Sequence, residues 1–182
     1  MKLSKLQNKL SQSESYTPAE DTFFFANYLE NEKGETALDI GTGSGYLAKL
    51  LSTKFPFVVG TDINFDSLKF QIPKLQNNLC CNGADAIRAS FDLVVCNLPY
   101  LPSGKIIDHT IDGGKEGLEI PLEIINSAKN CVKKGGKFLF LTSSIANYHK
   151  LIKKTKMLGF EVKIVARKKL FFEELILVEA RM

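Results

Sequence analysis

The sequence predicts an α/β fold, a doubly wound and mostly parallel sheet covered by helices on both faces. Short β-rich runs alternate with segments of helical periodicity along the 182 residues. The run at 91–96 is almost wholly apolar, which is typical of a strand buried on both faces. A glycine-rich turn at 41–45 follows one predicted strand and precedes a helix. In doubly wound folds that position is where ligands bind.

Caps and helix breakers set the order of the elements. Residues 1–15 are polar and Lys-rich, so we expect a flexible tail before a single domain over 16–182. Thr17, Pro18 and Glu20 are typical of a helix start, and Gly34 follows the end of that helix. The predicted helices are 17–31, 44–54, 64–77 (kinked or ended by Pro73), 118–132 and 145–158; the predicted strands are 36–40, 57–61, 79–81, 91–96, 137–142, 160–166 and 175–180, with a long loop at 101–116.

Length and composition narrow the class of protein. A chain of 182 residues, 45% hydrophobic, suits one domain with a sizeable core. No apolar run approaches the roughly 18 residues of a membrane span, and the N-terminus has no signal-peptide core, so we expect a cytoplasmic protein and no membrane partner. The net charge of +4 is weak evidence for nucleic-acid binding but does not exclude it. The four cysteines form no metal-binding or disulfide pattern, and we predict no metal site.

The glycine turn has a ligand-binding and a purely structural interpretation. Gly41, Gly43 and Gly45 let a ligand approach the backbone at a helix N-terminus, and Thr42 lies among them. A tight strand-to-helix turn needs glycine without any ligand, so the turn alone decides nothing. Asp62 ends the next strand, where an acidic side chain meets ribose hydroxyls in such folds. Its alternative is to cap the following helix.

Two further aspartates follow predicted strands. Asp39 ends the first strand, and a carboxylate there is costly unless it is paired. A cationic ligand group, such as the ammonium of a methionine moiety, would pair it. Asp85 follows the third strand and could accept an adenine amino group, or it is an ordinary turn residue.

The turn Asn97-Leu98-Pro99-Tyr100 follows the apolar strand and is the most informative motif. The Asn97 side-chain carbonyl and the Leu98 backbone carbonyl offer two acceptors for a planar NH₂ group. Pro99 stiffens the turn, and the Tyr100 ring can stack on a flat substrate group. A planar nitrogen is a poor nucleophile, and positioning is what its methylation requires. The histidines, His109 and His149, lack partners at metal-ligand spacing, and we interpret them as surface or packing residues.

Four segments together resemble class I S-adenosylmethionine-dependent methyltransferases, and more closely the short eukaryotic and archaeal form of the release-factor glutamine methyltransferases. The segments are Tyr16-Thr17-Pro18-Ala19-Glu20-Asp21-Thr22, Leu38-Asp39-Ile40-Gly41-Thr42-Gly43-Ser44-Gly45, Thr61-Asp62-Ile63-Asn64 and Asn97-Leu98-Pro99-Tyr100. The resemblance covers about residues 16–180. It implies a seven-stranded Rossmann-like sheet whose last strand is antiparallel.

The resemblance also implies an activity and a partner. The expected reaction is N5-methylation of the glutamine in the Gly-Gly-Gln motif of a class I release factor. The cofactor would be S-adenosyl-L-methionine, and a small zinc-binding adaptor subunit would cover an apolar sheet edge. The cofactor residues implied are Thr22, Asp39, Gly41, Asp62, Asp85, Ala86 and Asn97, to which we add Thr42, Gly43 and Gly45 of the turn. Asn97 to Tyr100 would hold the glutamine.

Two other functions stay open at this point. The family usually has proline where this chain has Leu98, and Asn-Leu-Pro-Tyr is also the form in ribosomal-RNA adenine dimethylases. The first alternative is therefore an N6-adenine methyltransferase acting on RNA or DNA, although the chain has no room for a target-recognition domain. The second is a non-catalytic protein that binds the cofactor as a scaffold.

Overall fold

A computed structural model describes residues 20–71 and 74–182. The predicted tail, the helix start at Thr17 and Pro18, and Pro73 lie outside the described residues. Within them the helices are α1 (Glu20–Leu29), α2 (Tyr46–Leu51), α3 (Phe65–Lys69), α4 (Glu119–Ala128) and α5 (Tyr148–Met157), with 3₁₀ turns at Lys115–Gly117 and Lys129–Cys131. The strands are β1 (Thr36–Ile40), β2 (Phe57–Asp62), β3 (Asn78–Cys80), β4 (Phe91–Asn97), β5 (Leu101–Pro102), β6 (Asp112–Gly114), β7 (Val132–Ser143), β8 (Glu161–Lys169) and β9 (Glu174–Arg181).

Seven of these strands form one sheet in the order β3-β2-β1-β4-β7-β9-β8. Neighbours from β3 to β7 are parallel, whereas β9 runs antiparallel to both β7 and β8. The predicted doubly wound sheet with an antiparallel last strand is therefore confirmed. Because β1, β2 and β4 are parallel, Ile40, Thr61 and Cys96 lie side by side near their carboxyl ends. The residues that follow them meet at one edge of the sheet.

Both faces of the sheet are buried, which explains the apolar run of β4. Val94 and Cys96 point into one hydrophobic cluster, which α4 and α5 cover. Leu93 and Val95 point into the other cluster, which contains residues of α1 and α2. Since successive side chains of a strand face opposite sides, a strand with two buried faces is apolar at almost every position.

The predicted helix at 64–77 is the largest boundary error. Helix α3 has five residues and begins after Asn64, whose Oδ1 accepts hydrogen bonds from the amides of Asp66 and Ser67. It ends at Lys69 because the chain turns inward there. Gln71 is buried, and its Nε2 donates to the Gly43 carbonyl at 2.8 Å, which ties this segment to the glycine turn.

Two other expectations fail at the end of β4 and the start of β7. The predicted loop at 101–116 contains the short parallel pair β5 and β6 and a 3₁₀ turn. The Asp112 carboxylate accepts from the amides of Ile107 and Asp108, which closes the loop between the two strands. Strand β7 begins at Val132, five residues early, because the register between β4 and β7 shifts and the extra residues bulge.

The described helices are too short or too polar to cross a membrane. The same residues contain no group of three His, Cys, Asp or Glu side chains that could hold a metal ion.

Candidate active site

The glycine turn at 41–45 is held rigidly at the carboxyl edge of the sheet. Gly41 and Gly43 have φ values of 69° and 50°, in the left-handed region that favours glycine. The Gly43 amide donates to Asp62 Oδ2 at 2.8 Å. Its carbonyl is held by Gln71. The Thr42 amide donates to the Thr61 carbonyl at 2.9 Å, so the turn is fixed before any ligand arrives.

Asp62 does not cap the following helix, and that alternative is wrong, since Asn64 is the cap. The two carboxylate oxygens of Asp62 instead accept from the amides of Gly43 and Asn64, both at 2.8 Å. Each oxygen keeps a second lone pair, so the carboxylate can still accept from the hydroxyls of a ligand.

A cavity of about 760 Å³ opens beside this turn. That volume lies in the usual range for cofactor sites. The predicted site residues on its wall are Thr22, Asp39, Gly41, Thr42, Gly43, Asp62, Asn97 and Pro99. Residues far apart in the sequence therefore meet in one place, because the carboxyl ends of the parallel strands β1, β2 and β4 share an edge.

Asp39 is a buried carboxylate that pairs with no cation among the residues the structure describes. Its side chain is 1% exposed, and Oδ2 accepts from Thr42 Oγ1 at 2.8 Å. Burial, with a smaller contribution from the nearby Asp62 carboxylate, raises the pKa of Asp39 to about 7, against the hydrogen bonds from Thr42 and Ala48. None of the ion pairs in the described residues includes Asp39. A cationic ligand group would supply the missing partner.

The orientation of the Asn97 side chain is set by Asp21. Asn97 Nδ2 donates to Asp21 Oδ2 at 3.0 Å, and the Thr22 amide donates to Asp21 Oδ1 at 2.6 Å. An ionised carboxylate only accepts, so the amide nitrogen of Asn97 must face Asp21 and the amide oxygen must face away. Asn97 Oδ1 is buried and accepts no hydrogen bond from the described residues. Asn97 therefore brings an acceptor that lacks a donor to the wall of the cavity.

Three of the predicted substrate residues are placed differently from one another. Pro99 lies on the cavity wall. The Leu98 side chain is buried in the core, and its amide donates to the Leu141 carbonyl at 3.2 Å. Only the backbone carbonyl of Leu98 is a candidate acceptor. Tyr100 is half-buried and packs against the cluster on the α1 side, so its ring is not part of the cavity wall.

Three of the predicted cofactor residues also lie off that wall. Gly45 caps α2, with φ of 78°, and its amide donates to the Thr42 carbonyl at 2.7 Å. Asp85 and Ala86 are exposed. Asp85 lines a smaller depression beside the cavity, with Asn82 shared by both. The sequence places the turn after β3 correctly at this edge but does not fix which of its residues face inward.

The cavity also contains residues that sequence analysis missed. His109, interpreted as a surface or packing residue, lies on the wall with Ile107, Asp108 and Thr110. Ile120, Glu123 and Ile124 of α4 complete that side. No sequence pattern predicts the loop residues at the cavity, because the loop reaches the cavity only through its fold around Asp112. Asp21 had a signal, since it belongs to the segment shared with the methyltransferases, but its contact with Asn97 spans 76 residues of sequence.

Comparison with known proteins identifies the family. The family model "methyltransferase small domain" matches residues 20–172. The chain belongs to this family. A protein of Methanocaldococcus jannaschii, provisionally named a protein N5-glutamine methyltransferase, is 36% identical over 180 residues, which cover 92% of this chain and 91% of that protein. The chain is accordingly an S-adenosylmethionine-dependent methyltransferase, and the cavity, the uncompensated Asp39 and the turn suit that cofactor.

A more distant relative and a solved structure also match this chain. Ribosomal RNA large subunit methyltransferase G of Pseudoalteromonas translucida is 25% identical over 163 residues, 78% of this chain and 39% of that protein. The structure of the E. cuniculi Mtq2–Trm112 complex, responsible for methylation of the eRF1 translation termination factor, matches with a TM-score of 0.78. That match is 24% identical and covers 91% of this chain and 97% of the other, and it shows the shared fold.

Proposed function

We propose that this enzyme methylates the N5 amide nitrogen of a glutamine in the Gly-Gly-Gln motif of a peptide-chain release factor. The observation that carries the proposal is the buried Asn97 Oδ1, whose orientation is set by Asp21 and whose residue shares a cavity wall with the glycine turn. The names of two similar proteins support the substrate, one for glutamine N5 and one for a termination factor.

The residues on the cavity wall would hold the cofactor by charge and shape. When bound, S-adenosylmethionine supplies a methyl group on a sulfonium centre. Asp39 would pair with its ammonium, and Asp62 would accept from its ribose hydroxyls. The turn at 41–45 leaves its backbone bare because Gly41 has no side chain, and a Cβ added there would meet nothing within 4 Å. Asn82 and Gly83, rather than the exposed Asp85, lie on the wall after β3.

Asn97 and the Leu98 carbonyl would hold the two hydrogens of the glutamine amide. An amide nitrogen is planar and weakly nucleophilic, so acceleration must come from aiming its lone pair at the methyl group. The negative Asp21 polarises the Asn97 amide and strengthens Oδ1 as an acceptor. The proton is released after the methyl group is transferred, when the nitrogen has become positively charged and acidic enough to lose it to solvent.

Mass spectrometry of a release factor incubated with this protein and S-adenosylmethionine tests the proposal. The expected result is one added methyl group on the glutamine of the Gly-Gly-Gln motif. A release factor with Gln replaced by Glu is the matched control, because it retains the shape of the side chain and lacks the amide nitrogen. Methylation of another residue, or none, would refute the substrate.

The second candidate substrate is an adenine of RNA or DNA. Leu98, in the Asn-Leu-Pro-Tyr form, favours it, and the acceptor pair would hold an exocyclic amine equally well. Tyr100, however, is packed beside the core rather than on the cavity wall, so it offers no stacking surface there. Transfer of labelled methyl to ribosomal RNA, measured beside the release factor, separates the two substrates.

A small zinc-binding adaptor subunit is the partner we propose for the β3 edge of the sheet. Strand β3 is the last strand on that side, so its outer backbone groups are available for another strand. Large apolar side chains are exposed around it: Ile63, Phe65, Phe70 and Leu79. Co-expression with a candidate adaptor should raise the yield of soluble protein, and Leu79→Lys should abolish co-purification.

We also propose a cytoplasmic location, in keeping with four cysteines that are all free thiols.

A further inference from the structure

The turn between β8 and β9 carries two exposed aromatic rings. Phe171 and Phe172 are 91% and 88% exposed, and their ring centroids are 4.6 Å apart in an edge-to-face arrangement. They occupy the two central positions of a tight turn. The Leu170 amide donates a hydrogen bond to the Glu173 carbonyl across this turn at 2.7 Å. We call Phe171 and Phe172 the aromatic tip.

Local structure does not account for these two phenylalanines. Two-residue hairpin turns favour Asn, Asp and Gly at the central positions. A phenylalanine there gains no packing from its own hairpin, and two exposed rings are costly in water. Exposed aromatic side chains that are close together are typical of binding surfaces.

The base of the turn is rigid and belongs to the edge of the sheet that contains the active site. The Ser144 amide donates to the Glu174 carbonyl, and the Glu174 amide donates to Ser144 Oγ, both at 2.9 Å. Ser143 Oγ also donates to the Glu173 carboxylate. Ser143 is two residues beyond Leu141, the register partner of Asn97. The tip therefore projects from the carboxyl edge.

Strand spacing places the tip near the cavity. Asn97 is on β4, and β7 and β9 separate β4 from β8. At about 4.8 Å between strands, the tip lies on the order of 12 to 15 Å sideways from Asn97. A protein interface of standard size covers about 800 Å² on each partner, which corresponds to a radius of about 16 Å. A folded protein that inserts a side chain into the cavity thus reaches the tip.

We propose that the aromatic tip docks the protein substrate, with Phe171 and Phe172 entering an apolar pocket of the protein that presents the glutamine. This inference rests on the proposed function, because a protein substrate must lie over this edge of the sheet. Ile145, 42% exposed in the loop after β7, lies along the same edge and extends the apolar surface toward the cavity. Lys168 and Lys169 precede the tip and Glu173 and Glu174 follow it, so charges of both signs flank the two rings.

Steady-state kinetics of Phe171→Ala/Phe172→Ala on two substrates test the inference. The substrates are the intact release factor and a short Gly-Gly-Gln peptide, with the full chain assayed alone and with the adaptor. For the intact protein we expect KM to rise about 10- to 100-fold at unchanged kcat, as for the loss of two aromatic anchors. The peptide cannot reach the tip, so its kcat/KM and the affinity for S-adenosylmethionine should stay unchanged.

Met157→Ala is the matched control. Met157 is 78% exposed at the end of α5, which leads into the start of β8 at the opposite edge of the sheet, so its loss should leave both substrates unaffected. An unchanged KM for the intact protein in the double variant would overturn the docking role. An equal loss of kcat/KM for the intact protein and the peptide would overturn it as well. The same holds if the only effect of the double variant is loss of adaptor co-purification. Failure of the wild-type chain to methylate either substrate would instead overturn the proposed function.

Discussion

Asp39 and Asp92 lie on neighbouring strands of one sheet, but at opposite edges and in opposite electrostatic states. Asp92, near the start of β4, accepts hydrogen bonds from the amides of Glu35 and Thr36 and pairs with Lys133 at 2.9 Å. The Lys133 ammonium, helped by the hydrogen bonds from Thr36 and Glu35, lowers the pKa of Asp92 to about 2 although burial acts in the opposite direction. Asp39, at the end of β1, is buried and pairs with no cation within residues 20–71 and 74–182, and its pKa is raised to about 7.

The contrast between the two aspartates indicates that the amino edge of the sheet serves stability and the carboxyl edge serves function. At the amino edge the fold itself satisfies the carboxylate, so Asp92 stabilises the folded chain. At the carboxyl edge the described residues leave Asp39 without a cation and Asn97 Oδ1 without a hydrogen-bond donor, which lowers the stability of the protein when no ligand is bound. Changes at the carboxyl edge should therefore alter activity more than stability, and changes at the amino edge should do the reverse.

Asn97→Ala should give the largest effect. The variant loses the acceptor that aims the target nitrogen, and we expect kcat to fall by about 10³-fold or more, as for the loss of a positioned catalytic hydrogen bond. The affinity for S-adenosylmethionine, measured by calorimetric titration, should change less than about fivefold. Asn126→Ala removes an exposed amide of α4 outside the cavity and serves as control. Equal activity of the two variants would remove Asn97 from the mechanism.

Asp21→Ala should have the next largest effect. Without the carboxylate the Asn97 amide can flip and present its NH₂ group to the cavity, so we expect kcat to fall about 10- to 100-fold at constant affinity for the cofactor. Glu20→Ala is a matched control, because Glu20 is an exposed acidic residue in the same first helical turn. Asp21→Asn keeps one acceptor oxygen, and its kcat should lie between wild type and Asp21→Ala. Equal loss in the Glu20 and Asp21 variants would assign the effect to the helix terminus instead.

Cofactor binding should weaken in acid through Asp39. Below pH 7 the carboxyl group of the free enzyme is protonated, while the cofactor ammonium stays charged and binds only the carboxylate. Each pH unit below about 7 should therefore weaken the affinity about tenfold until the pKa of the complex is reached. Titrations from pH 5.5 to 8 measure this slope. Asp39→Asn should bind more weakly at pH 8 and lose the slope, and a variant that retains the slope would assign it to another group.

Much of the fold could be predicted from the sequence because its signals are local. The apolar run of β4 and the alternation of strands and helices predict the buried parallel sheet. The early end of α3, which made the predicted helix at 64–77 too long, could not be predicted. It depends on Gln71 turning inward to meet Gly43, a contact across 28 residues of sequence. The early start of β7 likewise depends on pairing with β4.

The site shows the same division. Asp39, the turn at 41–45, Asp62 and Asn97 share a cavity because each lies near the carboxyl end of a strand, and strand ends can be predicted from local pattern. The direction of a side chain within a loop depends on packing. The exposure of Asp85 and the burial of the Leu98 side chain could therefore not be predicted from local pattern. The place of His109 on the wall depends on Asp112 closing the loop, again beyond local sequence.

Asp92→Asn should affect stability and leave catalysis unchanged. The variant loses the ion pair with Lys133 and weakens the hydrogen bonds to Glu35 and Thr36, and for a partly exposed group we expect a loss of about 1 to 2 kcal/mol at pH 7. The folded pKa is below the unfolded value, so this contribution is complete above about pH 4 and disappears as the pH falls through about 2. Urea unfolding of both proteins at pH 7 and near pH 2 measures the difference, which should vanish in acid. A fall in kcat at constant stability would mean that the amino edge also serves the reaction and that the contrast between Asp39 and Asp92 does not hold.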